Sequence, residues 1–237
     1  MLFFYANDVW FNTSARYWRG SKPRFTLDSA GLRLENVPVP PPDPRRFAFE
    51  IEGGSGIVGA VRRLDGWFGR NSRLYNLARA ALRGSPTLNG LAIRLGFGAV
   101  PMEFLPWYTG PDSTLRHAWR VTEALIEALD DSVRAAGGEL LIFPIPSRPA
   151  VYVHEWPTVR RMYALDDSWE AGHGFATLME ICRRRGFRCL DTLDDLRAEA
   201  ATPPRLYFVR DGHWTARGHA VAAGLIAEAV VPLLERP

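Results

Sequence analysis

Lysine is almost absent from this chain. Lys22 is the only one, and arginine supplies the rest of the 29 basic side chains. Cysteine is nearly as scarce: two in 237 residues exclude a disulfide-built scaffold and a four-thiolate zinc site. No uninterrupted apolar run approaches the ~18 residues of a membrane-crossing helix, and by that criterion a spanning segment is excluded. A concentrated basic stripe of the kind that reads nucleic acid is also missing. The arginines come in short clusters, Arg45-Arg46, Arg62-Arg63, Arg160-Arg161 and Arg183 to Arg185, with acids between them, and the net charge is only +3. No nucleic-acid partner is expected. The five histidines lack metal-ligand spacing, so no metal and no cofactor is expected either. What remains is ordinary globular composition, 47% hydrophobic and 23% charged, of a size for one domain.

The chain opens on Met1-Leu2-Phe3-Phe4-Tyr5-Ala6, apolar and aromatic throughout, stopped by Asn7-Asp8. Such a run reads as a strand buried on both faces of a parallel sheet. It has no basic segment followed by a cleavage site and is not a signal peptide; a signal or anchor would lie upstream. Because termini usually lie at the surface, two readings stand. The run is a short N-terminal edge strand, or Met1 is internal to a longer sequence.

An irregular stretch follows to about Gly20. Arg24–Leu27 and Leu32–Glu35 flank a turn and predict a hairpin. The proline-rich segment from Val37 to Pro44 is extended surface chain. Short helices are predicted over 56–69, 72–83 and 86–95, and loop from Pro101 to Pro111. Over 114–136, Leu115, Trp119, Ile126, Leu129 and Val133 fall on one helical stripe, with Ser113 as cap and Gly137-Gly138 as stop. A second buried strand covers Leu140 to Pro146. A helix over 174–185 turns Phe175, Leu178 and Cys182 inward and ends in Arg183 to Arg185 and Gly186. A strand over 187–190, a helix near 193–199 and a last helix over 216–234 capped by Thr215 complete the order. Strand, helix, strand, helix is the order of an α/β fold with parallel strands. Residues 9–112 read as an insertion or lid region within a single domain, 1–237. Cys182 and Cys189, on a helix and the next strand, are taken as buried free thiols by default, with a disulfide only in an oxidising compartment.

Ligands of a parallel α/β sheet bind beyond the carboxyl ends of its strands. That rule selects Asn7-Asp8, the loop from Ser147-Arg148, and Asp211-Gly212-His213-Trp214. A carboxylate two residues from an imidazole can fix its tautomer and leave the other nitrogen as a base; the plainer role of such an aspartate is to bond local backbone amides. His154 and Trp156 are candidates for lining a substrate pocket. Gly54-Ser55-Gly56-Ile57-Val58-Gly59 matches a dinucleotide-binding glycine pattern, but no acid lies between Asp65 and Glu103 to hold a ribose, so it reads as a linker. Trp10, Trp18, Trp67, Phe68 and Trp107 are either the insertion's own core or an aromatic lid. His219 reads as structural.

Leu206-Tyr207-Phe208-Val209-Arg210-Asp211-Gly212-His213-Trp214-Thr215, followed by Gly218-His219, resembles the last sequence block of the SGNH/GDSL hydrolases. Tyr5-Ala6-Asn7-Asp8 resembles their G-x-N-D block, with Tyr5 where the family has glycine. The resemblance implies a flavodoxin-like three-layer α/β/α fold. It implies His213 as general base, Asp211 as its orienting partner and Asn7 as oxyanion donor, with Ser147, Arg148, His154, Trp156 and Trp214 as candidate substrate contacts. The implied chemistry is serine-dependent cleavage of carboxylic esters, carbohydrate acetyl esters among them. The family's Gly-Asp-Ser block does not occur in this chain. The nucleophile is therefore expected upstream, the chain is expected to be N-terminally truncated, and alone it is expected to be inactive. The D-x-H-W form is similar to SGNH-like proteins that acetylate polysaccharides, which makes O-acetyl transfer the alternative; a non-catalytic, carbohydrate-binding remnant is the third. The expected partner is a small-molecule or carbohydrate ester. Self-association is expected through the exposed first strand, whose neighbour in the flavodoxin-like order is missing.

Overall fold

The computed structural model describes residues 1–17, 20–39 and 57–234, with the side chains of residues 17 and 57–63 left aside. The glycine pattern beginning at Gly54, Trp18 and the end of the proline-rich segment lie wholly or partly outside the described residues.

Among the described residues the central sheet is three parallel strands. The first strand, β1 (Leu2–Tyr5), pairs with β6 (Leu141–Ile145), and β6 pairs in turn with β7 (Arg188–Cys189). Period-2 alternation sorts the side chains to two faces. Phe4 and Ile142 join a core with Leu178 and Ile181 of α8 (His173–Arg185) and Trp119 of α5 (Ser113–Ala135). On the opposite face the Phe143 ring meets Phe3 at 5.7 Å and Trp214 at 6.0 Å. A second core there joins Val151 of α6 (Arg148–Val151), Leu196 of α9 (Leu193–Ala200), Leu206 and Tyr207, with Val221 and Leu225 of α10 (Ala216–Leu234) packed against it. Helices on both faces of a parallel sheet make the three-layer α/β/α fold that the resemblance implies.

The first strand is not buried on both faces as its composition suggests. Phe4 is 5% exposed but Phe3 is 50% exposed, because β1 is the sheet edge and its second face is covered only in part. Prolines are tolerated in β6 because β7 pairs with it only as far as Ile142, leaving Pro144 beyond the ladder on that side.

Several local expectations are corrected. Residues 7–13 are not irregular: they form α1 (Asn7–Thr13), which buries Val9 completely and bonds Asn12 Nδ2 to Thr122 Oγ1 of α5 at 3.2 Å. The segment after Pro101 contains a 3-10 turn, Met102–Trp107, with Trp107 buried. The cap of α5 is Asp112, whose carboxylate accepts the Leu115 N–H at 2.7 Å; Ser113 is already helical. Leu129 points outward and Asp130 inward, where it holds Arg134 Nε at 2.8 Å. Beyond the loop expected after the second strand, Trp156 opens a further helix, α7 (Trp156–Tyr163). Cys182 and Cys189 are joined in a disulfide rather than free, their Cα atoms 6.1 Å apart. Run length alone does not describe α10. Despite Arg217 and Glu228 it is long and apolar enough to cross a membrane, and little of it is buried.

The rest of 9–112 holds two small ribbons and three helices. The ribbons are β2 (Arg16–Tyr17) with β3 (Gly20–Ser21), and the predicted hairpin β4 (Arg24–Asp28) with β5 (Gly31–Glu35), closed by an Arg24–Glu35 ion pair at 2.8 Å. The helices are α2 (Ile57–Asn71), α3 (Arg73–Gly84) and α4 (Pro86–Arg94). Ser72 and Ser85 cap the last two by accepting the N–H groups of Tyr75 and Leu88.

Candidate functional site

The chain enters the site at the carboxyl end of β1. Asp8 Oδ2 accepts the Tyr5 N–H at 3.1 Å, which fixes the step from strand into α1 and sets Asn7 at the helix start. Burial pushes the Asp8 carboxyl up, and this hydrogen bond pulls it back in part. Gly174 of α8 supports the same turn from below, where an added Cβ would lie 3.1 Å from the Ala6 Cβ and from the Pro106 Cβ.

The second element is a tight loop between Leu206 and Thr215. Tyr207 bridges Trp214, Phe208 N–H donates to the His213 carbonyl at 3.1 Å, and Thr215 N–H donates to the Leu206 carbonyl at 2.8 Å. The Tyr207 hydroxyl donates to the Pro146 carbonyl at 2.7 Å, tying the loop to the end of β6. Thr215 caps α10 as predicted, its Oγ1 accepting the Gly218 N–H at 3.2 Å. Gly218 admits the Leu206 carbonyl so closely that a Cβ there would sit 2.2 Å from it. At the loop tip Asp211 accepts the His213 backbone N–H at 2.9 Å and also meets the ring at Nδ1. The ring hydrogen bond is the main cause that holds the Asp211 carboxyl below the usual range. With Nδ1 engaged, Nε2 is the nitrogen left for proton transfer.

Asn7 and His213 line one open cleft of about 790 Å³. Trp214 and Gly212 line it too, with Phe3, Tyr5, Phe11, Glu103, Phe104, Ile145, Tyr207 and His219. His213 stands at the rim, its side chain 87% exposed. The Tyr5 hydroxyl is pushed up to about 12, first by burial and then by the Glu103 carboxylate, with Arg148 opposing. Several of these residues escape sequence reasoning. Phe11 sits one helical turn after Asn7, a relation invisible while 7–13 reads as irregular. Glu103 and Phe104 reach the cleft through the 3-10 turn, and His219 through the first turn of α10.

Four candidates have other work and do not line this cleft. Ser147 is buried; its hydroxyl donates to the Ala171 carbonyl at 2.9 Å and caps α6 by accepting the Ala150 N–H. Arg148 reaches across to the His213 loop, where Nη1 donates to the carbonyls of Phe208 (3.1 Å) and Val209, while Nε faces Glu155 at 2.9 Å. His154 is exposed beside Tyr152, their ring centroids 5.9 Å apart. Trp156 packs edge-on against Trp107 at 6.0 Å in a third apolar cluster. The aromatics of residues 9–112 divide: Trp107 is core, stacked on Phe104 at 4.0 Å, whereas Trp67 and Phe68 are exposed and do not line the cleft. Among the described residues no group of three or more His, Cys, Asp or Glu side chains could hold a metal ion.

No curated protein and no solved structure matches the chain. A family model described as an SGNH hydrolase-like domain, acetyltransferase AlgX, matches residues 104–236. The match takes in β6, the His213 loop and α10, and leaves out β1 and Asn7. It covers more than half of the chain, which therefore belongs to the SGNH hydrolase-like family of the acetyltransferase AlgX.

Proposed function

We propose that this protein carries the base and oxyanion halves of an acyl-transfer site that moves an acetyl group between an ester oxygen and a carbohydrate hydroxyl. The reading is carried by one observation: Asn7 and His213, more than two hundred residues apart in sequence, line one cleft, and Asp211 engages the His213 ring. Aromatic walls from Phe11, Phe104 and Trp214 suit a sugar ring or an acyl group.

In this reading His213 Nε2 takes the proton of a serine hydroxyl as its oxygen bonds to the ester carbonyl carbon. The Asn7 amide donates to the oxyanion that forms. The ester C–O bond then breaks, with the imidazolium returning its proton to the leaving oxygen. A sugar hydroxyl, deprotonated by the same imidazole, displaces the serine in the second half; water in its place gives hydrolysis. Asp211 steadies the imidazolium and does not itself take the proton. No serine lines the cleft among the described residues. The reading therefore assigns the nucleophile to a Gly-Asp-Ser segment upstream of Met1.

The test is release of p-nitrophenol from p-nitrophenyl acetate by the protein extended upstream through such a segment. Polysaccharide is then added and acetyl esters on it are counted. Turnover that disappears in His213→Ala, with acetyl appearing on the polysaccharide, supports transfer. Turnover with no acetylated polysaccharide reassigns the site to hydrolysis. Release no faster than in His213→Ala ends the reading.

A further inference from the structure

Three consecutive helices, α2, α3 and α4, turn apolar stripes to solvent. On α2 the stripe is Leu64, Trp67 and Phe68; on α3, Leu74, Leu77 and Leu82; on α4, Leu88 and Leu91, continued by Leu95 and Phe97. The steps are mostly of three and four residues, so each stripe is one helical face. Leu74 is 76% exposed and Leu77 69%, and α3 buries no residue at all. The other side of α4 is committed: Gly90 lies against the Arg161 carbonyl, and Asn89 Nδ2 donates to the Met162 carbonyl at 2.8 Å, both on α7. A soluble helix normally points such a stripe at its own core, and three successive helices with exposed apolar stripes point to an interaction surface.

Charge identifies what it meets. From Ile57 to Phe97 there are seven arginines and one acid, Asp65. That acid is already engaged by Arg79 at 3.0 Å and by the Tyr75 hydroxyl. The segment thus holds a net of six positive charges in a chain whose total is +3, and everything outside it is net acidic. On α3 the polar arc opposite Leu74 carries Arg79 and Arg83, with Arg73 at its edge beside the leucines. Apolar residues with Trp and Phe on one face and arginine on the other are the composition of a helix lying in a lipid interface. A second copy of the same surface would bring six like charges against six.

We propose that residues 57–97 seat this protein on an anionic lipid bilayer, with the leucine stripes and Trp67 in the headgroup region and the arginines on lipid phosphates. The surface is separate from the cleft, and the proposal does not rest on the acyl-transfer reading.

Flotation of the whole chain with vesicles tests it, using phosphatidylcholine alone and phosphatidylcholine mixed with phosphatidylglycerol. Binding to the mixed vesicles is expected, with little to the neutral ones and progressive loss as salt is raised. Arg73→Gln and Arg83→Gln each weaken it about fivefold. Leu74→Ser with Leu77→Ser weakens it on the order of tenfold or more, with the circular dichroism and melting unchanged because both leucines are exposed. No binding to the mixed vesicles at low salt overturns the proposal, as does equal binding by the leucine variant. A concentration-dependent dimer that the leucine variant dissolves would give the surface to a second copy instead. Tighter binding to a duplex oligonucleotide, indifferent to the leucines, would give it to nucleic acid.

Discussion

A single carboxylate oxygen of Asp211 holds His213 at two points: it accepts the histidine's backbone N–H at 2.9 Å and faces the ring at Nδ1. The backbone contact shapes the turn, so the ring contact costs little extra ordering. The imidazole is thereby presented to the cleft in one tautomer, on a loop tip that is otherwise open to water.

Replacing Asp211 by Asn removes the charge and leaves the turn. In the acetyl-ester assay kcat is expected to fall by about 10³–10⁴-fold with KM little changed. Melting should hardly move, since the pair is exposed. The ring's hydrogen bond holds the folded Asp211 carboxyl below its unfolded value, so its contribution is present above the ordinary carboxylate range and disappears as pH falls through the lowered value. Asp211→Ala should flatten that small acid limb of the stability profile. An unchanged limb would show that another group sets it.

Arg148 is a positioning residue rather than a substrate contact. Its guanidinium holds the Phe208 and Val209 carbonyls and Glu155. Arg148→Ala should cost about 1.5–3 kcal/mol of stability through lost charged hydrogen bonds. It should also speed hydrogen exchange at the Phe208 and Thr215 amides, which close the loop. Arg148→Lys restores charge but not the fork, and should recover stability without restoring the exchange protection.

Tyr5 gives a signature at high pH. Its folded pKa, about 12, lies above the unfolded value of 10.0 because burial disfavours the phenolate. A raised folded pKa leaves stability intact below the unfolded value and erodes it as pH rises toward the folded one. Absorbance titration should leave Tyr5 neutral well past pH 10 in the native protein, with unfolding setting in across the window between the two values. Tyr5→Phe should remove part of that loss, the buried Tyr207 hydroxyl, raised by the same cause, supplying the rest; ionisation of all seven tyrosines near pH 10 without unfolding would contradict the burial.

The Cys182–Cys189 bridge ties the end of α8 to β7 across a sequence separation of seven. So short a loop predicts a contribution of about 2 kcal/mol from restricting the unfolded chain. Dithiothreitol, or Cys182→Ala with Cys189→Ala, should lower the denaturation midpoint accordingly. A melting curve indifferent to reductant would mean the thiols are free.

Much of the scaffold can be read from local chemistry. The α5 stripe, the arginine-and-glycine end of α8, the Thr215 cap and the β4–β5 turn each announce themselves within a few residues. The Asp211–His213 contact is legible for the same reason, since its partners are two residues apart. What escapes depends on distant partners. Residues 7–13 make a helix because Val9 and Asn12 dock on α5, more than a hundred residues on. Glu103 reaches the cleft by a turn whose position is set by α1 and α8, not by its own neighbours. The exposure of Phe3 depends on what pairs beyond β1, which nothing in an apolar hexapeptide specifies. The two cysteines cannot declare their bond from spacing, because spacing does not say that the end of α8 stacks beside β7.

The pairing of β1 with β6 also carries a consequence for biogenesis. Leu2 lies in register with Ile142, so about 140 residues separate one side of the ladder from the other. At ribosomal speeds of ~5–20 residues per second, the first strand waits on the order of ten seconds before its mate exists. For that interval the apolar run Leu2, Phe3 and Phe4 lacks its β6 partner. Slowing the ribosome between the two strands should therefore lower the soluble yield.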